Sequence, residues 1–473
     1  MTLLLALACH RPGPAGDDDD DDRTVTGATA ETGHTGTVPS VLTDVSWALD
    51  DDQPSVVRVS WRQDFDTAVH LAYAFDGEVH TSPVRDLGPG AHEELLLGVP
   101  YGTDLTWEIR AGDDVLAAGA AQTAALPDEV PRASVLLLDA ARVDPATPYV
   151  LVAVNVGEAN ATGTWTVLLD RLGRVSWAHR SPQQRNTMHP RVSWGGDAFL
   201  VDHSSFFSAF DGGAASRVLA LKIDGTEVRS WDTPGQHHAF TDLPDGSLAY
   251  AQYQNEDGGH ADDDAIVVID PAGTPSQRFS CATFLAGLGE EGWCGSNTLS
   301  YDPQLDVFLF SLFTHDSVVE VDRATGAPNR WFGRIAGSWA FDPPSSQFDY
   351  QHGSVYLDDG HLLVSTHVSD TDDELVVREY ALDDAAQTLR QVWSAGEGLG
   401  VVGHQKGEAH RLPGGNTLHN FGTHAVLREY TPEGDVVWDV RWELQQYQGD
   451  EAHQIGRSAP VGPDLYAFAP ARP

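Results

Sequence analysis

His238-Ala239-Phe240-Thr241-Asp242-Leu243-Pro244-Asp245-Gly246-Ser247-Leu248 and His352-Gly353-Ser354-Val355-Tyr356-Leu357-Asp358-Asp359-Gly360-His361-Leu362 carry one pattern twice. In each, the histidine precedes a leucine by five residues, a glycine by eight and a second leucine by ten. Such text reads as strand, tight turn, strand, because the Asp-Gly pair supplies the positive φ that a hairpin turn requires. It recurs as Glu408-Ala409-His410-Arg411-Leu412-Pro413-Gly414-Gly415-Asn416-Thr417-Leu418 and, more loosely, as His189-Pro190-Arg191-Val192-Ser193-Trp194-Gly195-Gly196. Each unit later carries a second hairpin, as in Val318 to Gly326 before Trp331 and in Leu427 to Trp438. Units counted from about Tyr149 number six at roughly 50 to 60 residues each, the size of a four-stranded blade with generous loops. The expectation is an all-β chain whose main body, 149–473, is a six-bladed β-propeller. Helix-like periodicity is nearly absent, and its one candidate, around Asp383 to Leu389, reads as an inserted turn.

Upstream, residues 38–126 hold short alternating segments such as Val56 to Trp61, Ala68 to Tyr73 and Leu105 to Ile109, which predict a small β-sandwich of fibronectin III or immunoglobulin type. The phrase Gly98-Val99-Pro100-Tyr101-Gly102-Thr103 looks like the connection between two of its strands, with a role in spacing or packing. Pro127 and Pro131 mark a linker, so that 127–148 is expected to hold that linker and the first propeller strand. Residues 10–37, with the unbroken run Asp17 to Asp22 and a Thr/Gly/Ala tract, cannot bury a core and read as an extended, self-repelling tether. Residues 1–9 end in Leu3-Leu4-Leu5-Ala6-Leu7-Ala8-Cys9, which resembles the lipobox of a bacterial lipoprotein signal, although a basic start and a longer apolar run are missing. An exported protein of the periplasm or cell surface is expected, touching the membrane only through a lipidated Cys9.

The 473 residues include 70 Asp plus Glu against 28 Lys plus Arg, a formal net charge of −42. That field repels phosphate backbones, so nucleic acid is not an expected partner. Cys281 and Cys294 stand close together in sequence, and in an exported chain a short-loop disulfide is the favoured reading over two buried thiols.

In a propeller the innermost strand of every blade faces the axis, so a residue recurring at one point of the repeat is delivered several times to one small space. His238 and His352 occupy such a point. They either cap the blade ends by hydrogen bonds or form a cluster of imidazoles for nucleophilic or acid–base work. No tight metal signature such as His-Glu-x-x-His is present, and Asp262-Asp263-Asp264 lacks the spaced ligands and turn glycine of a calcium loop. Neither metal nor cofactor is therefore expected.

Five stretches together resemble the bacterial arylsulfotransferases: Gly235-Gln236-His237-His238-Ala239-Phe240, Trp293-Cys294-Gly295-Ser296-Asn297, Trp331-Phe332-Gly333, Phe348-Asp349-Tyr350-Gln351-His352, and Arg378-Glu379-Tyr380 through Gln391-Val392-Trp393. The resemblance implies a six-bladed propeller behind a small β-sandwich. It also implies transfer of a sulfuryl group from a phenolic sulfate ester to an acceptor phenol through a sulfohistidine, with no cofactor. His238 and His352 match its site motifs, and a third histidine from the last blade is assigned to His410, with His404, His419 and His424 as alternatives. Gly295 stands where the family usually has a histidine, and His367 stands near the place of an expected arginine. The alternatives are a ligand-binding or scaffold propeller without catalysis and, third, a metal-dependent hydrolase or lyase.

Overall fold

The repeated hairpin is built four times with the same pair of turn bonds. Leu243 N donates to Ser247 O and Gly246 N to Leu243 O, and the same two bonds recur at Leu357/His361 with Gly360, Leu412/Asn416 with Gly415, and Ser193/Ala198 with Gly196. The four glycines take φ of 81°, 82°, 96° and 68°, a region that an L side chain disfavours. The computed structural model describes residues 42–155, 164–182, 185–204, 215–253, 263–292, 294–369, 372–403, 405–443, 446–447, 450–451 and 455–471. Cys9 and the acidic tether lie outside these residues, as does His404.

Six antiparallel sheets of four strands follow one another along the chain. Sheet 1 is Tyr149–Asn155, Thr164–Asp170 and Val175–Arg180, with Ile455–Val461 added on its inner side. The inner strands of sheets 2 to 6 are Arg191–Val192, Gln236–Asp242, Ser296–Asp302, Asp349–Tyr356 and Glu408–Arg411. Consecutive inner strands touch from sheet 3 through sheet 6 to sheet 1 and on to sheet 2. The ring of His189 against Phe240, 5.3 Å apart, joins sheet 2 to sheet 3. The inner strands thus close a circle, the arrangement of a propeller. Sheet 5 gains a parallel strand, Ala340–Asp342, and sheet 6 gains Ala133–Leu138 on its outside, the strand expected within 127–148.

Period-two alternation explains why the middle strands read as unbroken apolar runs, since both of their faces are covered. In Tyr149–Asn155, Val150, Val152 and Val154 pack towards Leu418 and Leu427 of sheet 6, whereas Leu151 packs towards Phe199 and Val201 of sheet 2. Every adjacent pair of sheets has its own apolar cluster of this kind. The closure between sheets 6 and 1 is also polar. Glu429, wholly buried, accepts from Asp144 N and from Asn416 Nδ2, both at 2.6 Å, and pairs with Arg171 at 2.6 Å. Glu429→Ala leaves a buried guanidinium without its carboxylate, and a loss of about 3–5 kcal/mol in denaturant unfolding is expected.

Residues 42–126 form a three-stranded and a five-stranded sheet that share one core around Trp61, Leu71, Tyr73 and Trp107. This unit docks on sheets 1 and 2 through Val56, Leu95 and Leu97 packed with Trp177, Phe199 and Phe468. The Gly98 to Thr103 phrase is part of that contact: Tyr101 N donates to Val175 O (2.9 Å), and a Cβ on Gly98 would lie 2.8 Å from Tyr149 Oη.

Among the described residues, the α-helix Cys281–Leu288 departs from the sequence expectation. Eight residues are too few to show a period, but Ser280, which accepts from Thr283 N, and Gly289 at φ 75° are its caps. The residues around 383–389 do form a turn between two strands. A disulfide joins Cys281 to Cys294 and ties the helix start to the lead of the inner strand of sheet 4. Among the described residues no helix is long and apolar enough to cross a membrane.

Candidate functional site

Strand register decides which side chains reach the axis. In sheets 3 and 5 the hairpin's last pairs are Asp242 with Leu248 and Tyr356 with Leu362, and His238 and His352 each lie four residues earlier. Applying the same offset to Asp302, Arg411, Val461 and Val192 gives Thr298, Gly407, Arg457 and Met188. The contacts confirm this equivalence. Arg457 N donates to Met188 O (2.6 Å), and its guanidinium donates to Gly407 O, to Asn297 O (2.8 Å) and to Thr298 Oγ1 (2.8 Å). Thr298 Oγ1 also accepts from Gly353 N, next to His352, at 2.9 Å.

His238, His352, Arg457 and the buried Lys406 therefore form one electrostatic group. His238 keeps some accessible surface, whereas His352 is buried. Burial first, and then neighbouring imidazoles together with the Arg457 and Lys406 cations, hold both imidazoles well below their ordinary pKa, so both are neutral at pH 7. Burial and the neighbouring Arg457 push Lys406 down to about 7, and burial lowers Arg457 to about 10, which leaves it charged at neutral pH.

Behind the two histidines stand different supports. His352 Nδ1 donates to Tyr350 O at 3.0 Å, which puts the lone pair on Nε2. Tyr350 holds φ at 44° and Lys406 at 65°, backbone strain of the kind that clusters where side chains are aimed. His238 Nδ1 lies 3.0 Å from His237 Nδ1, and His237 Nε2 lies 2.9 Å from Asp264 Oδ1. Phe313 bridges the two, with its ring 6.5 Å from that of His238 and 6.3 Å from that of His352, and Tyr350 sits 5.2 Å from His352. The result is a pair of neutral nucleophilic nitrogens, a fixed cation, an amine and an aromatic wall.

His238 and His352 are thus brought together. His410 is not placed with them: on the register above it falls three residues past Gly407, and its Nε2 faces Glu408 at 3.5 Å. Burial alone would raise Glu408, but His410, Arg191 and Arg457 outweigh it and keep the carboxylate ionised. His419 is buried between sheets 5 and 6, where its Nε2 meets Ser365 Oγ (2.9 Å), and His424 closes a short 3-10 turn after sheet 6's second strand. His367 stands behind Tyr350, its Nε2 donating to Gly403 O at 2.9 Å. At Gly295 a Cβ would lie 2.9 Å from both Phe313 and Thr314, so Phe313 fills the space a histidine side chain would need. Arg457 and Lys406 are the residues that sequence reasoning missed. Counting back from the Gly415 turn reaches Gly407, next to Lys406, whereas the strand of Arg457 is followed by no hairpin from which to count.

A family model described as arylsulfotransferase (ASST) matches residues 140–453. No curated protein matches the chain. Among solved structures, similarity extends to a protein of unknown function from Bacteroides caccae (16% identity, 67% of this chain and 99% of that one, TM-score 0.45). It extends also to a streptogramin B lyase (12%, 66% and 87%, TM-score 0.35) and to an inactive virginiamycin B lyase from Staphylococcus aureus with quinupristin (10%, 68% and 90%, TM-score 0.37). At such scores these likenesses say nothing of chemistry.

Proposed function

The chain belongs to the arylsulfotransferase family, and from that premise we propose that it moves a sulfuryl group from a phenolic sulfate ester to an acceptor phenol by way of His238. The observation that carries this reading is the convergence of two neutral imidazoles on the Arg457 cation. The lone pair of His238 Nε2 forms the N–S bond as the S–O(aryl) bond breaks, and the departing aryloxide takes a proton from the Lys406 ammonium. In the second half, the Lys406 amine takes the acceptor's proton, the phenol oxygen attacks sulfur, and His238 is released. Arg457 supports the sulfuryl oxygens in both halves, a use for which a guanidinium is better shaped than an imidazole. Phe313 and Tyr350 offer faces on which an aromatic ring can stack. His352 Nε2 serves as the relay for the second proton, taking it from the acceptor phenol and passing it to the Lys406 amine.

The test is release of 4-nitrophenol from 4-nitrophenyl sulfate, which should depend on added phenol and be indifferent to chelator. Absence of acceptor-dependent turnover across several aryl sulfates would leave a binding propeller as the better account. A pH prediction follows from the same groups. The reactive imidazole is the neutral one and its pKa is lowered, so the first half-reaction, read as the initial release of 4-nitrophenol from 4-nitrophenyl sulfate, should persist as pH falls through the ordinary histidine range. Lys406 must be protonated to help a poor leaving group, so turnover of phenyl sulfate should decline as pH rises through about 7 while that of 4-nitrophenyl sulfate holds. Identical profiles for the two donors would remove Lys406 from the mechanism. The reading also assigns the protein to an oxidising compartment outside the cytoplasm, which the Cys281 to Cys294 bridge supports. Lipidation at Cys9 is tested by whether Cys9→Ser moves the protein from the membrane to the soluble fraction.

A further inference from the structure

Behind His238 lies a chain of buried polar groups that the transfer chemistry does not consume. Asp264 opens the strand Asp264–Ile269, and neither its side chain nor that of His237 has any exposed surface. Asp264 Oδ2 accepts from the backbone N–H of Ser296 at 2.7 Å, and Oδ1 meets His237 Nε2 at 2.9 Å. The backbone donor cannot turn round, so Oδ2 must accept, and the carboxylate's other oxygen accepts from the ring. With a single proton, held on Nε2 by Asp264, His237 has its lone pair on Nδ1. His238 Nδ1, 3.0 Å away, must then be the donor of that pair. Tyr253, stacked on His237 at 3.8 Å and 7°, fixes the plane of the ring through which this order passes.

We infer that Asp264 and His237 are positioning residues that hold His238 as its Nδ1–H tautomer, with the lone pair on Nε2 where a sulfuryl donor can be attacked. The inference deepens the transfer reading and rests on it for its catalytic meaning. When the N–S bond forms, His238 becomes a cationic ring still carrying its Nδ1 proton, and the Asp264 charge, relayed through His237, faces that cation. His352 has only a backbone carbonyl behind its Nδ1. This difference selects His238 over His352 as the group that carries the sulfuryl.

Asp264→Asn reverses the order. The amide oxygen must stay on Ser296 N–H, so the NH2 faces His237 Nε2, His237 becomes the Nδ1–H tautomer, and His238 is left with its proton on Nε2. The experiment is nitrogen-15 NMR of the imidazole resonances in histidine-labelled full-length protein, wild type and Asp264→Asn, with His238→Gln used for assignment. Wild type should show His238 protonated on Nδ1, and the variant should show it protonated on Nε2. Alongside, kcat for 4-nitrophenyl sulfate with phenol should fall about 10³–10⁴-fold with KM little changed, the size seen when a triad carboxylate becomes an amide. His237→Gln, whose amide oxygen can still accept from His238 Nδ1–H, should lose less. Wild-type His238 found protonated on Nε2, or left unchanged by Asp264→Asn, overturns the inference whether or not the protein turns over. The expected tautomers without any turnover would instead count against sulfuryl transfer. If Asp264→Asn does not fold, the wild-type tautomer alone decides.

Discussion

His238→Ala is expected to reduce acceptor-dependent sulfuryl transfer to the uncatalysed background. On the proposed route the loss should be complete, because the group removed is the one to which sulfur would be bonded between the two half-reactions, and no neighbouring water can store a sulfuryl group for an incoming phenol. His352→Ala should behave differently. Its Nε2 acts on protons, and such help is typically worth 10²–10⁴-fold, so a residual and measurable rate should survive. Wild type incubated with 4-nitrophenyl sulfate and no acceptor should carry one acid-labile sulfuryl group on the peptide containing His238, read by mass spectrometry, and His352→Ala should still accumulate it. A sulfuryl group found on the His352 peptide, with His238→Ala retaining turnover, would exchange the two roles. Full activity in both variants would end the sulfotransferase reading.

Arg457→Lys should cost about 10²–10³-fold in kcat, in line with removal of one preorganised donor from a developing oxyanion. Lysine keeps a charge but not the planar fork that holds Gly407 O, Asn297 O and Thr298 Oγ1 together. Arg457→Met, which removes the charge as well, should lose more. It should also raise the pKa of His238 and His352, because one of the cations that lower them is gone. Histidine titration followed by NMR separates this from simple misfolding: a folded Arg457→Met protein with unshifted histidines would show that the guanidinium does not act on the pair. Equal kcat in Arg457→Lys and wild type would remove the arginine from the chemistry.

Much of this architecture is legible in the sequence because the hairpins spell it out. Leu243, Gly246 and Leu248 fix a turn by their spacing, and the same text at Leu357, Gly360 and Leu362 fixes another, so His238 and His352 can be recognised as equivalent. Arg457 is not legible in that way. Its strand, Ile455–Val461, ends its sheet and is followed by no hairpin, and its partner Tyr149–Asn155 lies at the far end of the propeller segment. Lys406 is hidden for another reason: His410 is the more conspicuous residue, but the turn at Gly415 places Gly407 rather than His410 at the shared point. A histidine-rich segment draws the eye to imidazoles, while the backbone counts from the turn. Gly295 was legible as a departure, but its reason, the Phe313 ring in the vacated space, is a tertiary fact.

The strand Ile455–Val461 also sets a condition on time. A ribosome that has released the chain only as far as Trp442 has exposed five inner strands together with His238, His352 and Lys406, but sheet 1 still lacks its fourth strand and the axis lacks its guanidinium. Reactive imidazoles are then present without the cation that would bind a sulfate ester beside them. On the proposed route competence would arrive with the same pairing that closes the ring, and a chain clipped by a protease before residue 455 would keep its imidazoles without the guanidinium.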